Sequence, residues 1–190
     1  LHNYTMGEKK LLSVRRLLLP ADHQQLRTNI PRANRLGDLS IKWLRLGEAG
    51  LTLVERGKYL AAMGKQAGKL ATMDTVEVEN YLNREVLPNM PGGNGHLTTR
   101  VTDVRFFGKG RFRSIAYVLE SEEVQEQWQY LTTKLDQLNG VTSYWGEFEP
   151  HVAVATIPQE HTLDGNHILD TFWDFSPETM TFLPATAKAS

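Results

Sequence analysis

The chain has 190 residues, 41% of them hydrophobic and 23% charged, which is the balance of a soluble globular protein. Twenty-one basic against 22 acidic residues leave a formal net charge of −1, without the basic excess of a protein that tracks a long nucleic-acid backbone. The absence of cysteine excludes disulfides, thiolate metal sites and a cysteine nucleophile, and no apolar run approaches the roughly 20 residues that span a bilayer.

The N-terminus lacks the apolar core of a signal peptide, so a cytoplasmic location without a membrane partner is expected. Residues 1–88 are expected to be largely helical, with basic patches. The stretch from Lys9 to Arg16, followed by Leu17, Leu18, Leu19 and Pro20, reads equally as a short strand or a helix end. Leu60, Met63, Ala67 and Leu70 recur at 3-4-3 spacing, which suits an amphipathic helix. Asp74 with Glu77 forms a capping pair for a helix that Pro88 should end.

Pro91 to Gly95 is a loop, and the texture then changes. His96–Phe107 and Phe112–Leu119 are rich in β-branched and aromatic residues, and Gly108, Lys109 and Gly110 lie between them, so the pair reads as a hairpin or two neighbouring strands. Ser121 is an N-cap with Glu122 and Glu123 in the first turn. Val124, Trp128, Leu131, Leu135 and Leu138 follow at 4-3-4-3 spacing, and Gly140 closes the helix. A strand from His151 and a final apolar strand, Thr179 to Leu183, complete an α+β pattern.

Two of these strands open on histidine. His96, Thr98 and Arg100 share one face; His151, Ala153 and Ala155 share another, with Val152 and Val154 opposite them. His96-Leu97-Thr98 and His151-Val152-Ala153, the second preceded by Pro150, resemble the paired H-x-[T/S] motifs of the 2H phosphoesterase superfamily. That superfamily includes LigT-like RNA ligases and cyclic phosphodiesterases. The resemblance covers roughly residues 90–185, and it departs from the pattern at Ala153 and in the long stretch before His96. It implies one 2H phosphoesterase-like domain over residues 1–190, with two lobes, antiparallel sheets around a central cleft, and helices outside.

What the resemblance implies about function is metal-independent phosphodiester hydrolysis with no cofactor, on a nucleotide or a short or cyclic oligonucleotide. His96 and His151 would be the acid and base, facing one another across the cleft, with Thr98 on the phosphate. The chemistry agrees: imidazole, with a pKa near 6.5, can both give and take a proton near neutrality. The Thr98 hydroxyl can donate to a phosphate oxygen, whereas Ala153 in the matching place cannot. Arg100 is two positions beyond Thr98 on the same face, within reach of a second phosphate, or a solvated strand-end arginine. Tyr144, Trp145 and Phe148 read as base-stacking residues or as core. His161 and His167 near Asp164 fit no standard metal spacing. RNA ligation is the enzymatic alternative, and a non-catalytic nucleotide-binding module is the alternative from another class. A long duplex is not an expected partner.

Overall fold

A computed structural model describes residues 12–32, 40–55, 74–139, 145–163 and 166–189. In chain order the elements are β1 (Leu12–Leu17), α1 (Pro20–Arg32), β2 (Lys42–Trp43), β3 (Gly50–Val54), α2 (Thr75–Tyr81), β4 (Leu97–Phe107), β5 (Phe112–Glu120), α3 (Glu122–Asn139), β6 (His151–Pro158), α4 (Asn166–Asp174), β7 (Thr179–Phe182) and β8 (Thr186–Ala189). The strands make one antiparallel sheet in the order β7-β4-β5-β6-β3-β1-β8, and β2 pairs with the far end of β6. A bridge between Leu18 and Phe182 ties the β7 edge back to the end of β1. There Leu19 N–H donates to the Thr181 carbonyl (2.9 Å) and Leu183 N–H to the Leu17 carbonyl (2.8 Å).

The hairpin forms where the sequence places it. Gly108 and Gly110 turn the chain at φ 96° and 110°, values that a side chain would oppose. Alternation then sorts each strand: Val152 and Val154 are fully buried, while His151 and Ala153 are half-buried on the other face. Ala155 departs from its expected place beside them. The pairing of β5 with β6 shifts register between Ile115 and Ala116, and Ala155 is turned into the core.

Helices cover the core face through Leu26 and Ile30 of α1, Val124, Leu131 and Leu135 of α3, and Ile168 and Phe172 of α4. Their spacing is that of one apolar stripe per helix. Both expected N-caps are present: Asp74 accepts from Val76 N–H at 2.7 Å, and Ser121 Oγ from Val124 N–H at 3.2 Å. Helix α2 continues through a π-type turn, Leu82–Val86, into a 3-10 turn, Leu87–Asn89, that contains Pro88. The 60–70 segment and Gly140 lie outside the described residues. No helix among those described is long and apolar enough to cross a membrane.

Among the described residues the N-terminal part is not helical alone, because β1, β2 and β3 all lie within it. Charge hides β1. Leu12, Val14 and Arg16 point inward together, and Arg16 is only 1% exposed. Its Nη1 donates to the Gly95 (2.7 Å) and Leu183 (3.1 Å) carbonyls, and its Nε and Nη2 donate to Gln127 Oε1. Burial lowers the pKa of this guanidinium, and the Glu123 carboxylate opposes the shift. Gln127 in turn donates to the Pro91 and Gly93 carbonyls, so one buried arginine staples β1, α3 and the 91–95 loop.

Candidate active site

Strands β1, β3 and β6 lie side by side. Arg15 pairs with Thr52 and Leu17 with Gly50; Leu51 pairs with Val152. Carrying that antiparallel register one residue each way sets Thr52 opposite His151 and Gly50 opposite Ala153. Residues opposite one another point to the same face. Arg15, Thr52 and His151 therefore make one rank on the face away from the core, two strand spacings or roughly 10 Å across. Leu17, Gly50 and Ala153 make the next.

The His151 ring is held on two sides. Its Nδ1 lies 2.8 Å from the Glu149 carbonyl. A carbonyl only accepts, so Nδ1 carries the proton and Nε2 is the basic nitrogen of the neutral ring. Phe107 stacks on the imidazole with centroids 4.0 Å apart. The Arg105 guanidinium lies 5.5 Å from the centroid of Phe107 and pairs with the Glu149 carboxylate. Ala116 is paired with both Arg105 and Ala153. Having only a methyl group there lets the Phe107 ring cross β5 to reach His151.

Beside this rank runs a groove of about 1000 Å³, bordered by Arg15, Leu17, Thr52, Leu183 and Lys188, with Glu48 and Glu55 also on its wall. Cations, a hydroxyl and apolar side chains in one concavity are the makings of a site for an anionic organic molecule. Among the described residues no three His, Asp or Glu side chains gather as metal ligands.

No protein-family model matches the sequence, and no curated protein matches it significantly. Solved structures do match. ATU0111 of Agrobacterium tumefaciens, a conserved protein of unknown function, aligns over 95% of this chain and 82% of its own, with a TM-score of 0.58 at 13% identity. Kluyveromyces marxianus Usb1 with uridine monophosphate aligns over 96% and 95%, with a TM-score of 0.53 at 11% identity. Usb1 is a 2H phosphoesterase. The chain has a 2H phosphoesterase fold.

Within that fold the two expected histidines head strands that are not neighbours. Strand β5 separates β4 from β6, and His151 is in rank with Val118 and, through it, with Asp103, seven residues beyond His96. Across the other edge of the sheet, His96 is in rank with Leu183 and, through it, with Leu17 and Gly50. The residue facing His151 is Thr52. His96 instead follows the loop that Arg16 holds, and the Thr98 hydroxyl lies 3.1 Å from that of Thr181 on β7. Arg100 pairs with Glu120, so its charge is engaged away from β6. Trp145 is 8% exposed and donates from Nε1 to Asp136 at 3.0 Å, which makes it a core residue and not a stacking platform. Tyr144 and Asp164 lie outside the described residues. Ala153 is on the expected face, opposite Gly50.

Two triplets thus meet about the Leu51–Val152 pair, Gly50-Leu51-Thr52 and His151-Val152-Ala153. Each lacks a group that the other has. The first has the hydroxyl and no imidazole; the second has the imidazole and no hydroxyl. Together with Arg15 they are groups to which the paired histidine motifs do not point. The available signal was G-L-T-L-V, a glycine-headed strand with the same x-x-T spacing as His96-Leu97-Thr98.

Proposed function

We propose that the protein is a phosphodiesterase-type enzyme acting on a nucleotide or short oligonucleotide phosphodiester at the Thr52–His151 pair. The observation that carries this reading is the cross-strand rank: a histidine with a basic Nε2 in register with a hydroxyl and a guanidinium, the latter two lining a groove of about 1000 Å³. The uridine monophosphate in the similar Usb1 structure supports a nucleotide ligand. The net charge of −1 favours a small substrate over a long duplex. A 2′,3′-cyclic phosphate, a 2′-5′ linkage and a cyclic oligonucleotide all present the required phosphodiester.

In the reaction, His151 Nε2 takes a proton from the attacking water as the water oxygen bonds to phosphorus. The bond from phosphorus to the leaving ester oxygen breaks, and that oxygen takes its proton from solvent. Thr52 donates to a phosphate oxygen as negative charge develops. Turnover of a panel of these phosphodiesters tests the reading. At least one should be hydrolysed, and hydrolysis of none would refute catalysis.

A second reading is a nucleotide-binding module without turnover. It is favoured by Gly50, which puts no second imidazole in the rank next to His151, across from Ala153. Saturable binding of uridine monophosphate with no hydrolysis of any substrate in the panel would select it.

A further inference from the structure

Gly50 has no need of a glycine's backbone freedom, since it is not among the residues with positive φ. What it provides is space. A Cβ built there would lie 2.9 Å from Arg15 Nη2, 3.3 Å from Arg15 Cζ and 2.9 Å from the Arg16 carbonyl oxygen. The Arg15 head group thus lies over the β3 backbone, where a side chain at position 50 would begin, and its Nη2 donates to the Glu48 carbonyl at 2.9 Å. Arg15 and His151 then stand on either side of Thr52 in one rank.

We infer that the Arg15 guanidinium, seated over Gly50, is the phosphate-binding group opposite His151 and takes the place that a second proton-transfer group would need. The inference rests on the phosphodiester reading of the groove and states what kind of site it is. A guanidinium offers a planar fork of N–H donors that matches two phosphate oxygens at once. A guanidinium stays protonated across the pH range of turnover, so it neither takes nor gives a proton. The site therefore holds an anion with two arms and moves protons with one. Glu48 and Glu55 border the groove as well, so Arg15 and Thr52 hold the phosphate against the repulsion of two carboxylates.

Two consequences are measurable. Turnover follows a single ionisation with pH, because only His151 exchanges protons; two proton-transfer groups would give a bell. A phosphomonoester, with its second negative charge, binds tightly as a product.

The test measures uridine monophosphate and inorganic phosphate binding by calorimetry, and the pH dependence of turnover, in wild type, Arg15→Ala and Arg15→Lys. Arg15→Ala should weaken both ligands roughly ten- to hundredfold. Arg15→Lys, which keeps the charge and the packing stem but loses the fork, should fall between. In the double variant Gly50→His/Arg15→Ala, a bell-shaped profile should replace the single limb. Binding undiminished in Arg15→Ala, or a bell-shaped profile in wild type, would overturn the inference and leave the phosphodiester reading standing. Wild type that binds neither ligand and hydrolyses no phosphodiester would overturn both.

Discussion

The imidazole of His151 lies flat against the ring of Phe107, with centroids 4.0 Å apart and planes 4° from parallel. The two residues are on strands that are not neighbours, and the contact passes over Ala116 on β5. With Nδ1 engaged by the Glu149 carbonyl, the stack leaves the ring little rotational freedom. Phe107→Ala removes one of the two constraints and leaves every ionisable group in place. Turnover should fall about tenfold with KM little changed, as for a misoriented base. Steady-state kinetics check this; an unchanged turnover number would make the stack a packing contact only.

Gly50→Ala should cost stability out of proportion to one methyl group. The added carbon meets the Arg16 carbonyl oxygen, which is backbone and cannot swing aside as the Arg15 head group can. Overpacking of this kind costs about 1–3 kcal/mol. Gly95→Ala, where a Cβ meets nothing within 4 Å, is the control and should be nearly neutral. Urea denaturation of the two variants compares them.

His23 gives a pH dependence whose sign follows from its site. The ring is fully buried under β6, 6.4 Å from the Trp43 ring, and neither nitrogen has a hydrogen-bond partner among the described residues. Burial first, and then the charge of Arg27, push its pKa down, while the Val154 carbonyl acts the other way. Below the ordinary value of about 6.5 the unfolded chain binds a proton that the folded chain refuses. Stability should therefore hold above that pH and fall as the pH drops through and below it. His23→Phe should flatten the part of the acid limb that this residue supplies, as read from melting temperatures between pH 7 and 5. A limb of the same depth in the variant would show that other groups produce it.

Tyr117 donates its hydroxyl to the Phe172 carbonyl at 2.6 Å in a fully buried site, and burial raises its pKa. Tyr117→Phe keeps the ring packing and leaves that carbonyl without its donor. The expected loss is about 1–3 kcal/mol, the cost of an unsatisfied buried acceptor. Chemical denaturation measures it, and a loss below a few tenths would mean that water reaches the carbonyl.

Local patterns were legible. The 4-3-4-3 apolar spacing of α3, the caps at Asp74 and Ser121, the glycine-flanked hairpin and the outward face of His151 and Ala153 all follow from neighbours a few residues apart. Strand β1 was not legible, because one of its inward positions is Arg16, whose charge breaks the apolar alternation while its bonds to Gln127 and two carbonyls permit burial. Strand β3 was masked differently, since Gly50 gives its head no chemical signal. The strand that lies against β6 was not legible for a long-range reason. His96 and His151 each head a strand, but β5 intervenes, and which strand lies against β6 is decided by pairing across a hundred residues.

The central claim is that chemistry occurs at the Thr52–His151 rank and not between His96 and His151. Turnover of the best phosphodiester by His151→Ala, Thr52→Ala and His96→Ala, measured side by side, tests it most directly. His151→Ala should lose roughly 10²–10⁴-fold, as expected for removing a general base. Thr52→Ala should lose about tenfold, the scale of one hydrogen bond to a charged oxygen. His96→Ala, on a strand that β5 separates from β6, should turn over at the wild-type rate. A loss in His96→Ala equal to that in His151→Ala, with Thr52→Ala unaffected, would contradict the account.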